Sequence, residues 1–481
     1  MPQAASRTAV PLVPLALAAA AGAALIAVAE PRTALLAVAA VIVFLVTFLN
    51  TEIAIHLIIL SMLFSPEAFI GGGGGVEVGK LARKGTQAVF RFEDFLLVVV
   101  GLSWFARTAF RKELGLLVRT PLNLPIAAYA VANMLATSLG VLQGDVGAKQ
   151  GFFYTLKYIE YFVLYFVMVN TLRDERQLRR YLFTGFATCA IASLIGILQI
   201  PTGQRISAPF EGKEGEPNTF GGYLVFMLAL VLALWVQSRT APAFFGWLGM
   251  MALISLPLLF TLSRASWLAA IPMVLTLLTL TDRKLLIALP IVIAVVAAPL
   301  VFPKAVQERF AYTYSAPPEP DQVRIGRTRL DSSTSARIES WRYGLTAWTR
   351  RPFLGYGVTG FPFMDAQYVR TLTETGLVGL GVLTWLVLAI FRTAWQTIRT
   401  MSDPFYRNLA MGYLAGLVGL LVHGIGANTF IIVRIMEPFW FFTAIIVLLP
   451  TLAATRPTSP APVAAPAMPR FPAGGSPLRP R

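Results

Sequence analysis

Apolar runs of roughly 20 residues, the length of a bilayer-crossing helix, recur along this chain almost from its start to residue 454. A soluble fold cannot absorb so many of them, because each leaves no polar stripe to meet water. Charge content agrees: 13% of the 481 residues are charged, against about 25% in an ordinary soluble domain. Mean hydropathy is +0.67. Candidate spans fall at 9–29, 33–49, 53–70, 93–110, 122–142, 152–170, 179–200, 219–237, 242–262, 265–281, 284–302, 371–391, 405–427 and 430–454. The pattern predicts an all-α, polytopic transmembrane helical bundle of about 12–14 spans. It divides into an N-terminal bundle (1–200), a second transmembrane region (201–454) and a Pro/Ala-rich cytoplasmic tail (455–481) that cannot form a core.

The distribution of base sets an orientation. Arg107, Arg111, Lys112, Arg119, Arg173, Arg176, Arg179, Arg180, Arg239, Arg283, Lys284, Arg392, Arg399 and Arg407 lie in alternating short loops, which belong inside. The net charge of +16 is therefore spread between spans and is no nucleic-acid footprint. The opposite loops are poor in base except 71–92 and 303–370, the second holding ten Lys or Arg. This large outer loop is expected to contain short amphipathic helices. Residues 27–30 imitate a signal-peptide cleavage site, yet the long apolar stretch before them favours an uncleaved anchor. Cys189, the single cysteine, excludes a disulfide within the chain. Gly71–Gly75 lacks the strand-to-helix context of a phosphate cradle and reads as a linker.

Polar residues gather on the outer side at three places. Thr261-Leu-Ser-Arg-Ala-Ser266 joins two spans with almost no loop, and Arg264 there either snorkels to the interface or holds an anion. The loop 201–220 supplies Arg205, Lys213 and Asn218, the last either a helix cap or part of the site. Ile338, Trp341, Leu345 and Trp348 recur at helical spacing, with Arg337, Arg342, Arg350 and Arg351 available to the polar side. Asp365 lies just outside the next span, where a carboxylate can serve as base. Arg370 and Glu374 are four residues apart and can pair. His56 reads as structural, whereas His423 lies near the outer end of its span. No metal-binding motif and no cofactor motif is present, so neither is expected.

These residues resemble the O-antigen ligase and polymerase-like membrane proteins of bacteria. The resemblance rests on Ser263-Arg264, on Arg337 followed by Trp341, on Pro352-Phe-Leu-Gly-Tyr-Gly-Val-Thr-Gly360, and on Asp365-Ala-Gln-Tyr-Val-Arg-Thr-Leu-Thr-Glu-Thr-Gly376. Arg205 with Pro217-Asn218 looks like the family's earlier outer loop. The likeness covers roughly 200–450. It implies a metal-independent, inverting membrane glycosyltransferase of the inner (cytoplasmic) membrane, with its active site facing the periplasm. The donor is a glycan on a polyprenyl pyrophosphate and the acceptor a glycan or lipid. Chain-length regulator and flippase proteins are the partners such enzymes work beside. Arg205, Arg264, Arg337 and Arg342 would hold the pyrophosphate; Asp365, His423 and Glu374 are the catalytic candidates. The ligases typically carry a His-Asn pair where this chain has Asp365-Ala366. That favours polymerisation of lipid-linked repeat units of an O-antigen or exopolysaccharide. Ligation to lipid A-core or another acceptor is the alternative. A transporter or flippase is the third reading, disfavoured because the charges gather at one face rather than at the midplane.

Overall fold

The structure, a computed structural model of the chain, describes residues 31–65, 67–68, 90–110, 118–211, 215–301, 303–315, 322–325, 328–329 and 331–454. The expected first span, the glycine run and the tail lie outside them. The described helices are α1 (Pro31–Leu49), α2 (Thr51–Phe64), α3 (Phe92–Phe110), α4 (Asn123–Leu142), α5 (Ala148–Lys157), α6 (Glu160–Thr171), α7 (Glu175–Gln199), α8 (Pro217–Val236), α9 (Ala241–Phe260), α10 (Arg264–Leu280), α11 (Lys284–Val301), α12 (Lys304–Ser315), α13 (Ser332–Trp348), α14 (Gln367–Thr400), α15 (Pro404–Gly426) and α16 (Val433–Ala454). Two antiparallel pairings of two residues each complete it: Glu67–Ala68 with Phe90–Arg91, and Arg324–Ile325 with Thr328–Arg329.

Among the described residues, eight helical segments are long and apolar enough to cross a membrane: α4, Ala148–Thr171, the α7 segment, α8, α9, α14, α15 and α16. Shorter apolar helices occupy the expected spans near 53, 93, 265 and 284. The protein is an all-α, multi-pass membrane bundle, and α12 and α13 are the expected short helices of the large loop.

Two spans differ in detail from expectation. The one expected at 152–170 breaks at Tyr158–Ile159 into α5 and α6. At the break, Lys157 pairs with Asp94 of α3 and with Glu160, the latter at 3.3 Å. The span expected at 371–391 belongs to the longer α14, whose backbone leaves helical geometry at Gly376 (φ 65°, ψ −163°).

The core forms around α8, which is buried along almost its whole length. It is apolar on all sides, as a helix surrounded by other helices must be. α9, α10, α15 and α16 pack against it. α16 leans on α6 through Trp440, whose ring meets Phe162 edge-on at 4.7 Å and Tyr165 at 5.5 Å. α9, and α14 beyond Gly376, leave most of their residues partly or wholly exposed, as lipid-facing helices do.

Side-chain contacts gather several connections at one end of the bundle. Arg434 at the start of α16 is fully buried and donates to Pro209 O (2.7 Å) and Ser65 O (2.9 Å). That fixes the loop after α7, at Pro209, against the end of α2. Arg351 reaches Gln143 and Asp145 at the α4–α5 turn. The 427–432 connection is pinned by Asn428 Nδ2 to Met364 O (2.9 Å) and by Phe430 N to Gln367 Oε1 (2.8 Å). Several of the residues singled out in the loops lie here.

Candidate anion site at one end of the bundle

Three of the four expected arginines converge, with a fourth that sequence reading missed. Arg205 Nε donates to Thr261 O (3.0 Å), so the loop after α7 meets the α9–α10 turn. That turn is strained: Leu262 holds φ 50°, a left-handed backbone rare for a leucine. The following Ser263 caps α10, its Oγ accepting from Ser266 N, and Arg264 is the first residue of the helix. Arg264 forms a bidentate pair with Asp331, at 2.5 and 2.9 Å. Asp331 in turn caps α13, accepting from Thr334 N (3.2 Å) and Oγ1 (2.7 Å). Arg337 follows a turn and a half along α13. It is half-buried and makes no ion pair or hydrogen bond with any described residue.

The electrostatics follow from this crowding. Arg205 is exposed as a residue, yet partial desolvation of its guanidinium and the nearby charges of Arg309, Arg337 and Arg264 push its pKa down to about 10. Arg309, on α12, is lowered by burial and by Arg264, against the pull of Asp331. Burial acts to raise the Asp331 carboxyl, but Arg264 and Thr334 overcome it and hold the group well below the usual carboxylate range. Cations that depress one another are short of negative charge, and an anion relieves them. Arg342 stands elsewhere. It is exposed, and five residues at about 100° each turn it away from the Arg337 face of α13.

Behind the arginines runs a directed hydrogen-bond chain. His423 Nε2 meets Ser266 Oγ (3.2 Å), which donates to Ser263 Oγ (2.8 Å), which donates to Asn218 Oδ1 (2.8 Å). On the other side of the ring, Nδ1 lies 2.8 Å from Thr429 Oγ1, so both ring nitrogens have a hydrogen-bond partner. His423 is wholly buried. A Cβ on Gly222 would come within 2.9 Å of the ring, so glycine there lets the imidazole lie against α8. Asn218 does not cap α8. The helix begins at Pro217 with Glu216 as its cap, which leaves the Asn218 carbonyl to Ser263.

Asp365 and Glu374 have opposite surroundings. Asp365 is half-buried in the short segment before α14, flanked by Met364 and Gln367, which the 427–432 connection holds. No described residue bonds its carboxylate. Burial raises its pKa, and the charges of Arg337 and Arg370 pull it part of the way back. Glu374 is buried and saturated. It accepts from Arg370 Nε (3.0 Å), Tyr158 OH (2.8 Å) and Thr359 N (3.2 Å).

Glu374 sits where the Pro352–Gly357 turn docks into the break of α14. Tyr356 N and Gly357 N donate to the freed Thr373 and Glu374 carbonyls (2.9 and 2.8 Å), while Leu377 N and Val378 N donate to Pro352 O and Phe353 O (2.8 and 3.1 Å). Four peptide groups at the break are thus paired by the turn, as the interior of a membrane protein requires. A Cβ at Gly376 would lie 2.2 Å from Phe353 O, which explains glycine there.

Asp331 and Arg309 escaped sequence reading. Asp331 had a signal, an acidic residue directly before Ser332-Ser333-Thr334, the composition of a helix start. Arg309 had none beyond its place in a basic loop.

The model of the family described as O-antigen ligase matches residues 249–384. That stretch contains Arg264, Asp331, Arg337, Asp365 and Glu374; Arg205 and His423 fall outside it. No curated protein matches the chain. Over residues 249–384 the chain is thus similar to a family of membrane O-antigen ligases and polymerases.

Proposed function

We propose that the protein is a glycosyltransferase that polymerises polyprenyl-pyrophosphate-linked repeat units of an O-antigen or exopolysaccharide at the outer face of the bacterial inner membrane. The observation that carries this reading is the group Arg205, Arg264 and Arg337 at one end of the bundle, with the unpaired carboxylate of Asp365 under the influence of Arg337. The acceptor hydroxyl attacks the anomeric carbon of the donor sugar, and Asp365 takes the hydroxyl proton. The bond from that carbon to the diphosphate oxygen breaks on the opposite face, so configuration inverts. The departing polyprenyl diphosphate carries the developing charge, which the guanidinium groups neutralise. Removing one such donor costs about 10²–10³ in rate.

His423 and Glu374 take other parts in this reading. Both ring nitrogens of His423 are engaged, so it positions Ser263 and the first turn of α10. Glu374 braces the turn against α14. Arg342 has no part in donor binding.

Ligation to lipid A-core or another acceptor is the second reading, favoured by the matching family's description. Deleting the gene separates the two. Loss of a polymerase leaves single repeat units on the final acceptor, whereas loss of a ligase leaves long polymer on the carrier lipid. The second pattern overturns the polymerase.

A further inference from the structure

We propose that Asp331 is an internal anion that occupies, on Arg264, the place the donor's diphosphate takes on loading, so that donor binding exchanges one two-pronged pair for another and frees the start of α13. The inference rests on the reading of the arginines as the diphosphate site.

A guanidinium presents its N–H groups as a planar fork that fits a carboxylate and a phosphate in the same way. In Arg264 the Nη1 and Nη2 prongs are both filled by Asp331. Arg205 and Arg337 carry no carboxylate partner among the described residues. The one carboxylate placed on this group thus sits on one cation and leaves the other two open. The Asp331 side chain is fully buried while Arg264 keeps 18% exposure, so a ligand reaching Arg264 meets a fork already occupied at Nη1 and Nη2.

Asp331 is also the cap of α13, and Arg337 stands on that helix. Breaking the Arg264 contact leaves that cap in place and unties from α10 the helix that carries a second donor-binding residue. The turn presenting Arg264 stores strain of its own at Leu262. Such outliers persist where the surroundings hold them and are found at switches and clamps. Donor loading on this account is coupled to a movement of α13, through the exchange of a single carboxylate.

The test measures inorganic pyrophosphate binding by calorimetry on the full-length protein in detergent. Asp331→Asn removes the charge and keeps the helix cap, because Asn caps as well as Asp. Asp331→Ser is the second variant, a different cap with the same loss of charge. Glu339→Gln, an exposed carboxylate on α13, controls for net charge, and Arg205→Ala for the site itself. Both Asp331 variants are expected to bind pyrophosphate about tenfold tighter than wild type, with Glu339→Gln unchanged. Unchanged or weaker binding in both Asp331 variants overturns the latch, as does equal tightening in Glu339→Gln. Binding that Arg205→Ala abolishes and Asp331→Asn leaves alone keeps the diphosphate site and discards the latch. No binding in wild type or in the Asp331 variants overturns both.

Discussion

Replacing Glu374 by leucine separates a catalytic carboxylate from a structural one. The substitution leaves the Arg370 guanidinium, only 10% exposed, with no counter-charge beside it. Breaking a buried pair from one side costs about 3–5 kcal/mol. Tyr158 OH and Thr359 N lose their acceptor as well, at about 1–3 kcal/mol for each donor left buried and unpaired. The sum is about 5 kcal/mol or more, as large as the whole margin of many folded proteins. Arg370→Met on top of Glu374→Leu removes the uncompensated charge. It should recover about 3 kcal/mol and leave the cost of the two orphaned donors. The assay is the half-life of the detergent-solubilised protein on heating, read by monodispersity, together with turnover of lipid-linked donor. The single variant is expected to collapse early and the double variant to regain part of the loss. A Glu374→Leu protein as heat-stable as wild type but without turnover would refute the brace and return Glu374 to the chemistry.

Further outcomes are expected elsewhere. Gly376→Ala must accept φ 65° with ψ −163° and a carbonyl oxygen 2.2 Å from its Cβ, so it should lose about 3 kcal/mol or more and fail to accumulate in membranes. Arg205→Ala and Arg337→Ala should each lower turnover about 10²–10³-fold at normal protein levels, while Arg342→Ala should stay near wild type; equal losses in all three would point to nonspecific charge. Asp365→Asn should reduce the rate about 10²–10⁴-fold. The Asp365 carboxyl is raised and acts deprotonated, so wild-type activity should be lost as pH falls through a value above the ordinary aspartate's, about 3.9. A rate that holds steady through that acid range would count against Asp365 as the base.

The sequence was most legible where one physical cause dominates. Span length is set by bilayer thickness, so the expected runs from 122–142 through 242–262, and those after 371, reappear as α4–α9 and α14–α16. Arg264 stood out because a guanidinium at a tight turn between two spans is costly without a partner, and it has one in Asp331. What was hidden depends on tertiary approach. Nothing local says that Asp331 meets Arg264 across 67 residues, or that α12 brings Arg309 beside them. At the α5–α6 break Lys157 meets Asp94 on α3, a partner no local pattern points to. The spacing of Arg370 and Glu374 foretold their pair, whereas only the family resemblance made Glu374 catalytic; its other two partners come from the α5–α6 break and the 352–360 turn. Arg342 was grouped with Arg337 by sequence proximity, and helix geometry separates them.

Purified protein given only polyprenyl-diphosphate-linked repeat units, with no second acceptor, provides the most direct measurement. The account predicts release of polyprenyl diphosphate together with glycans longer than one repeat unit, both lost in Arg205→Ala and Asp365→Asn. Donor that stays intact until a separate lipid or protein acceptor is added would contradict it.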